Sequence, residues 1–189
     1  MKPDARGWFS GVHRLPSPNF DTRPANTRIS LLVIHSISLP PDEFGGPGIC
    51  QLFTNTMDCS AHPYYAQLAE LHVSAHFLIR RDGSIFQFVG CAYRAWHAGI
   101  SQWHGRLHCN DYSIGVELEG SDSTPFESRQ YLALIRLTRY LQRHYPLRQI
   151  VGHADIAPGR KTDPGPLFDW GRYLGQPKQV ENAGPQKNK

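Results

Sequence analysis

A single α/β domain, with a mixed β-sheet flanked by helices, is the fold class this sequence predicts. Three observations carry it. Short apolar runs of strand length (Ile29 to Ile34, Ser113 to Glu119) alternate with helical stretches, without strict βαβ regularity. Asp82-Gly83 sits between two apolar runs and signals a hairpin, so at least one strand pair is antiparallel. A long amphipathic stretch ending near His144 places Tyr131, Leu134, Ile135, Thr138 and Leu141 on one helical face. At 189 residues the chain suits one domain with a sizeable core.

Taken in order, the first thirty residues are rich in Pro, Arg and Asp and read as a strap across the domain. Ile29 to Ile34 is a buried strand that ends at His35, just before a Pro/Gly-rich loop from Ser38 to Gly48. Ile49 to Asn55 suggests a short helix, and His62-Pro63-Tyr64-Tyr65 opens another that ends near Leu71. Val73 to Arg81 and Ile85 to Val89 are the hairpin strands, with His76 read as a packed core histidine. Tyr93 to Asp111 is a loop dense in Trp96, His97, Trp103, His104 and His108, suited to a cleft wall or to a loop held by its own tryptophans.

Ser113 to Glu119 alternates as a strand, with Ile114, Val116 and Leu118 on one face and Gly115, Glu117 and Glu119 on the other. Thr124-Pro125-Phe126-Glu127 reads as a capping box that starts the long helix. Phe168 to Leu174 forms a last short helix. Residues 1–175 make the domain, and the polar tail 176–189 is expected to be disordered.

Composition narrows the function classes. Hydrophobic content of 40% with 19% charged residues is ordinary for a soluble globular protein. The formal net charge is +4 with a sequence pI near 9.0. Arg136, Arg139 and Arg143 share one helix face without aromatic interleaving, which points to a solvated surface and away from nucleic acid. No apolar run approaches a membrane span, and Met1 to Ser30 has no apolar leader core. Cys50, Cys59, Cys91 and Cys109 form no CxxC pair and read as free thiols in a reducing compartment. A cytoplasmic monomer acting on a small molecule is the expectation.

The candidate chemistry lies in Val151 to Trp170, VGHADIAPGRKTDPGPLFDW. One Pro/Gly-punctuated segment holds His153, Lys161 and Asp163, and so can bring a metal ligand and a positive charge to one point. A surface loop with a stray ion pair would read the same way. His35 at a strand end is a ligand position if it finds partners, and otherwise a structural histidine. Glu117 faces a cleft if its strand is central, and water if it lies at an edge. Two imidazoles and one carboxylate are the donor set of an open catalytic zinc site, which lowers the pKa of water to roughly 7.

The motifs SLLVIHSISLPPDEFGGP, AHPYYA, VSAHFLIRRDG, RAWHAGIS, CNDYSIGVELEG and VGHADIAPGRKTDPGPLFDW together resemble one family. It is the AmpD family of cytoplasmic 1,6-anhydro-N-acetylmuramyl-L-alanine amidases of cell-wall recycling, within the zinc amidase group that includes peptidoglycan recognition proteins. The resemblance runs from Trp8 to Tyr173. It implies one Zn2+ per chain held by His35, His153 and Asp163, with Glu117 as proton acceptor, Lys161 stabilising the transition state and Tyr64 near the metal. It implies anhydromuropeptides as substrates, with a non-catalytic peptidoglycan-fragment binder as the alternative. Three positions depart from the family pattern. Ser36 stands where Asn is usual, and His72 and His108 stand where relatives carry substrate-contacting arginines, so a shift in affinity or selectivity is expected.

Overall fold

The computed structural model describes residues 2–175; the tail 176–189, for which disorder was expected, lies outside the described residues. The elements in chain order begin with strands β1 (His13–Arg14), β2 (Phe20–Thr22) and β3 (Leu31–Ile37), helix α1 (Gly48–Thr54) and a 3-10 helix (Pro63–Leu68). Strands β4 (Phe77–Ile79), β5 (Ile85–Gln87), β6 (Tyr93–Ala95), β7 (Gln102–Trp103) and β8 (Arg106–Leu107) follow. The chain then forms α2 (Cys109–Tyr112), β9 (Ser113–Glu119), α3 (Ser128–His144), β10 (Gln149–Gly152), α4 (His153–Ile156) and α5 (Trp170–Leu174).

A six-stranded mixed sheet in the order β1-β5-β4-β9-β3-β10 organises the domain. Only β4 and β5 pair antiparallel within it, joined by the expected hairpin, where Gly83 supplies a positive φ of 84°. At its centre β3 and β9 run parallel over seven paired positions, from Leu31↔Ser113 to Ile37↔Glu119. Every residue of β9 is buried, as parallel strands covered on both faces require.

The two sheet faces have different work. On one, Leu32, Ile34, Ile114, Val116 and Leu118 form a core with Tyr131, Leu134, Leu137 and Leu141 of α3. Removing such a side chain, for example Leu134→Ala, costs about 2 to 5 kcal/mol. On the other, Leu31 and Val33 pack with Ala98, Cys109, Tyr112, Val151 and Ile156. The expected strand phase is observed: Gly115, Glu117 and Glu119 leave the α3 side together.

Several boundaries differ from expectation for identifiable reasons. The helix α3 starts three residues later than Thr124-Pro125 suggested, because Glu127 is the cap and its N–H donates to Gln130 Oε1 at 3.0 Å. Thr124 instead bridges to Ser121 in the preceding turn. The first hairpin strand is Phe77–Ile79 rather than Val73 to Arg81: Ser74 N–H donates to the Trp96 carbonyl and its hydroxyl to Asn19. The Tyr93 to Asp111 segment is no simple loop; it contains β6, the β7–β8 hairpin and α2.

Two polar anchors, the half-buried Arg23 and the buried Glu119, hold the irregular segments. Arg23 in the N-terminal strap donates to the carbonyls of Cys91, Asn110, Asp111 and Ser113, tying the strap to the start of β9. Glu119, at the other end of β9, accepts from Gly45 N–H at 2.7 Å, Arg80 Nη1 at 2.9 Å and Arg81 N–H at 3.1 Å. His76 is a core histidine as expected: Nδ1 accepts from Gly115 N–H, and Nε2–H donates to the Tyr93 carbonyl. All four cysteines are free; Cys91 and Cys109 are buried and Cys50 and Cys59 partly so. Among the described residues no helix is long and apolar enough to cross a membrane.

Candidate active site

The C-terminal ends of β3, β9 and β10 meet at one cavity of about 880 Å³. Strand β3 delivers His35, 1% exposed, at its fifth position. Strand β10 pairs with β3 as far as Gly152↔Ile34, so the next residue, His153, emerges beside His35. His153 opens the single helical turn α4 instead of lying in a loop, and Asp155 Oδ2 accepts Gly152 N–H in front of it at 2.6 Å. The chain then folds back so that Ala154 N–H donates to the Asp163 carbonyl at 2.9 Å, which returns Asp163 to the two histidines.

Three donor atoms converge there. His35 Nδ1 and His153 Nδ1 are 3.0 Å apart, and they lie 3.1 and 3.0 Å from Asp163 Oδ2. Donors around a four-coordinate zinc with bonds of about 2.0–2.1 Å stand roughly 3.3 Å apart. The triangle therefore fits one small cation with modest adjustment, and the three side chains form the one such group of His, Cys and acidic residues found among the described residues. Burial pulls the His35 pKa down to about 4, so its imidazole is neutral at pH 7 and able to donate a lone pair. For Asp163 burial acts upward, but hydrogen bonds and charge from His153 and His35 outweigh it and hold the carboxyl below its ordinary range.

Glu117 pairs with His35 across β9 and β3, its Oε1 3.9 Å from His35 Nδ1. Burial and the Asp163 charge raise its pKa well above the ordinary value, and the Lys161 charge opposes them. Its Oε2 is buried with no hydrogen-bond partner, so one acceptor of this cavity-lining residue is left unsatisfied. Lys161 and Tyr64 both line the same cavity, Lys161 from the turn before Asp163 and Tyr64 from the 3-10 helix. Every residue singled out for chemistry in the sequence thus reaches one place.

The departures divide. Ser36 and His72 line the cavity. His108 does not: it is an exposed residue with φ +57° ahead of α2, outside the lining, so the idea that it meets the substrate is not supported. Sequence reasoning also missed partners that the structure reveals. His97 lies 2.9 Å from His35 Nε2 through its Nδ1 and 3.1 Å from Ser113 Oγ through its Nε2. Asp122, another cavity residue, accepts from the Thr162 hydroxyl beside Asp163. A glycine inside a buried strand, Gly115, was the available signal for His97.

A mixed α/β sheet that brings two imidazoles, a carboxylate and a buried glutamate to the end of a deep cleft defines a cleft enzyme whose polar centre can hold a metal ion. Comparison with known proteins specifies the kind. The chain belongs to the N-acetylmuramoyl-L-alanine amidase family, whose sequence profile matches residues 25–166, and it is an enzyme of that family. It is 56% identical over 170 residues to the 1,6-anhydro-N-acetylmuramyl-L-alanine amidase AmpD of Escherichia coli (strain K12), covering 89% of this chain and 93% of that protein. The corresponding protein of Haemophilus influenzae is 48% identical over 181 residues, 94% of this chain and 98% of the relative. A crystal structure of a selenomethionine AmpD derivative superposes with a TM-score of 0.89 at 54% identity, covering 93% of this chain and 98% of that one. The amidase AmiD of Escherichia coli, solved with anhydro-N-acetylmuramic acid-L-Ala-D-gamma-Glu-L-Lys, matches with a TM-score of 0.58 at 34% identity over 82% of this chain and 60% of that one.

Proposed function

We propose that this amidase is zinc-dependent and hydrolyses the amide between the lactyl group of 1,6-anhydro-N-acetylmuramic acid and L-alanine in muropeptides, in cytoplasmic cell-wall recycling. The observation that carries the reading is the triangle of His35 Nδ1, His153 Nδ1 and Asp163 Oδ2 with edges of 3.0 to 3.1 Å, set beside a buried glutamate oxygen that lacks a partner. These three side chains would hold the zinc. When bound, it supplies a Lewis acid for the scissile carbonyl and lowers the pKa of water.

The chain's own groups do the rest. A dication beside Glu117 would offset the Asp163 charge and leave the glutamate ionised at neutral pH. Glu117 then takes a proton from the attacking water and returns it to the leaving alanine nitrogen as the C–N bond breaks. The Lys161 ammonium stabilises the negative charge that develops on the carbonyl oxygen. Tyr64, Leu39, Leu68 and Leu71 line the cavity and would flank the sugar and peptide. Relatives named for the same anhydro substrate, at 48 to 56% identity, support the substrate class. Four free thiols accord with a reducing compartment.

The assignment is tested by incubating the purified zinc-loaded protein with an anhydromuropeptide and following released peptide by mass spectrometry. Intact substrate after prolonged incubation would refute the substrate, and undiminished turnover after exhaustive chelation would refute the zinc dependence.

A further inference from the structure

We propose that His97 is a positioning residue that orients His35 toward the metal centre, and that the His97–Ala98 step supports both histidines of that centre from a single point of the chain. The inference rests on reading His35, His153 and Asp163 as the metal donors. His97 and Ala98 lie within the RAWHAGIS segment and hold no role in that donor set.

The two ligand histidines present Nδ1 to the centre, so each must commit its Nε2–H elsewhere. The His153 Nε2 lies 3.1 Å from the Ala98 carbonyl, which can only accept. That fixes His153 with a bare Nδ1. His35 Nε2 lies 2.9 Å from His97 Nδ1. Donation from His35 to His97 leaves His35 Nδ1 free to ligate. Donation in the opposite sense would place the His35 proton on Nδ1 and block it. The ligating state therefore has His97 Nδ1 accepting and His97 Nε2–H donating to Ser113 Oγ, 3.1 Å away.

The outer partners of the two ligands are thus adjacent residues: an imidazole at 97 and a carbonyl at 98. One side chain clamps both, since Asn110 Oδ1 accepts the N–H of His97 at 3.2 Å and of Ala98 at 2.8 Å. Arg160 Nη2 donates to the same Ala98 carbonyl at 2.8 Å. Room for the His97 ring comes from β9 itself, where a Cβ on Gly115 would stand 2.5 Å from His97 Cγ and 2.6 Å from its Nδ1. The ring is therefore seated against the strand that carries Glu117, while its nitrogen addresses the strand that carries His35.

A positioning role and a packing role make opposite predictions for two variants. His97→Asn loses the ring but keeps an acceptor oxygen near the place of Nδ1. His97→Phe keeps the ring and loses the acceptor. Zinc affinity, measured by competition with a chromophoric chelator, should fall about 10- to 100-fold in His97→Phe and less in His97→Asn. Wild-type affinity in His97→Phe, or an equal loss in both variants, overturns the proposal. If His97→Phe does not fold, ¹⁵N spectra of the imidazoles in the wild-type zinc-loaded protein decide the matter. His97 with a bare Nδ1 and a protonated Nε2 supports it; a protonated His97 Nδ1, or His35 coordinated through Nε2, overturns it. Asp163→Ala separates this test from the underlying assignment: full zinc retention there refutes the metal site itself, whereas loss there with none in His97→Phe refutes only the role of His97.

Discussion

His35 and Glu117 are register partners on adjacent parallel strands, and their side chains leave β3 and β9 on the same face with Nδ1 and Oε1 3.9 Å apart. A neutral imidazole and a carboxyl with raised proton affinity are thereby brought side by side by strand register, and side-chain contacts such as His35 Nε2 to His97 Nδ1 at 2.9 Å set the ring orientation. The closeness of this imidazole and this carboxyl begins in the register of the sheet.

Metal content is the first consequence. The zinc-loaded protein should contain about one zinc per chain, and His153→Ala or Asp163→Ala should lose most of it, because an open site has three protein ligands to begin with. Replacing the four cysteines with serine should leave zinc content unchanged, whatever it does to stability. Elemental analysis of dialysed protein provides the measurement.

Glu117→Ala should keep its zinc and lose about 10²- to 10⁴-fold in kcat, the range for removing a general base. Lys161→Ala should also keep the metal and lose roughly 10²- to 10³-fold, as for an oxyanion donor. Paired kcat and zinc determinations on the same samples check both. A Glu117→Ala enzyme with near-normal kcat would remove that residue from the chemistry.

Gly115→Ala should be harmful although it adds one methyl group. Its Cβ would meet three ring atoms of His97 at 2.5 to 2.7 Å. Relief of such overpacking costs about 1 to 3 kcal/mol. Denaturant unfolding should show that loss. A fully stable variant would mean that the His97 ring is not held where it lies.

Stability should fall on the acid side through buried histidine. Burial, reinforced by the Arg23 charge, pulls the His76 pKa down to about 3. The unfolded chain therefore binds a proton near pH 6.5 that the folded chain refuses until about pH 3. The contribution is fully present above pH 6.5 and is lost as pH falls from there toward 3, with a slope of about 1.4 kcal/mol per pH unit. His76→Gln should have a flatter profile than wild type by about that slope between pH 6 and 4. Parallel urea midpoints for the two proteins would contradict it.

Among the family departures, His72 belongs to the cavity lining and His108 does not. His72→Arg should lower KM for anhydromuropeptides by about one to two decades, since a charge-assisted hydrogen bond contributes about 1.5 to 3 kcal/mol. His108→Arg should leave KM near the wild-type value. An equal fall in both would place His108 at the substrate after all.

Much of this arrangement could be read from the chain. ISLLVI before His35 marked one strand as a short continuous apolar run, and the alternation of Ser113 to Glu119 marked the other with its phase, because both are local signals. The meeting of His35 with His153, 118 positions apart, was not legible without the family resemblance. It depends on β10 adding beside β3, a choice made by tertiary packing. Thr124-Pro125 imitated a helix start that Glu127 and Gln130 supply instead, so the boundary fell three residues late. The role of His97 was hidden for a different reason. Its partners are a ligand ring, a hydroxyl and a glycine on two strands, none of them near in sequence.

The Glu119 anchor has a further meaning for anyone altering this enzyme. Strand β9 points Glu117 into the cleft and, two residues on, secures the Ser38 to Gly48 loop through Gly45 and Arg80. Leu39 and Pro41 of that loop line the cavity, while Asp42 and Glu43 at its tip are exposed. The loop is in effect a cassette bolted to the same rail as the buried Glu117 carboxyl. At the tip Asp42 accepts from the Ser123 hydroxyl, so an exchange that reshapes the cleft mouth has to respect that tie as well as Leu39 and Gly45.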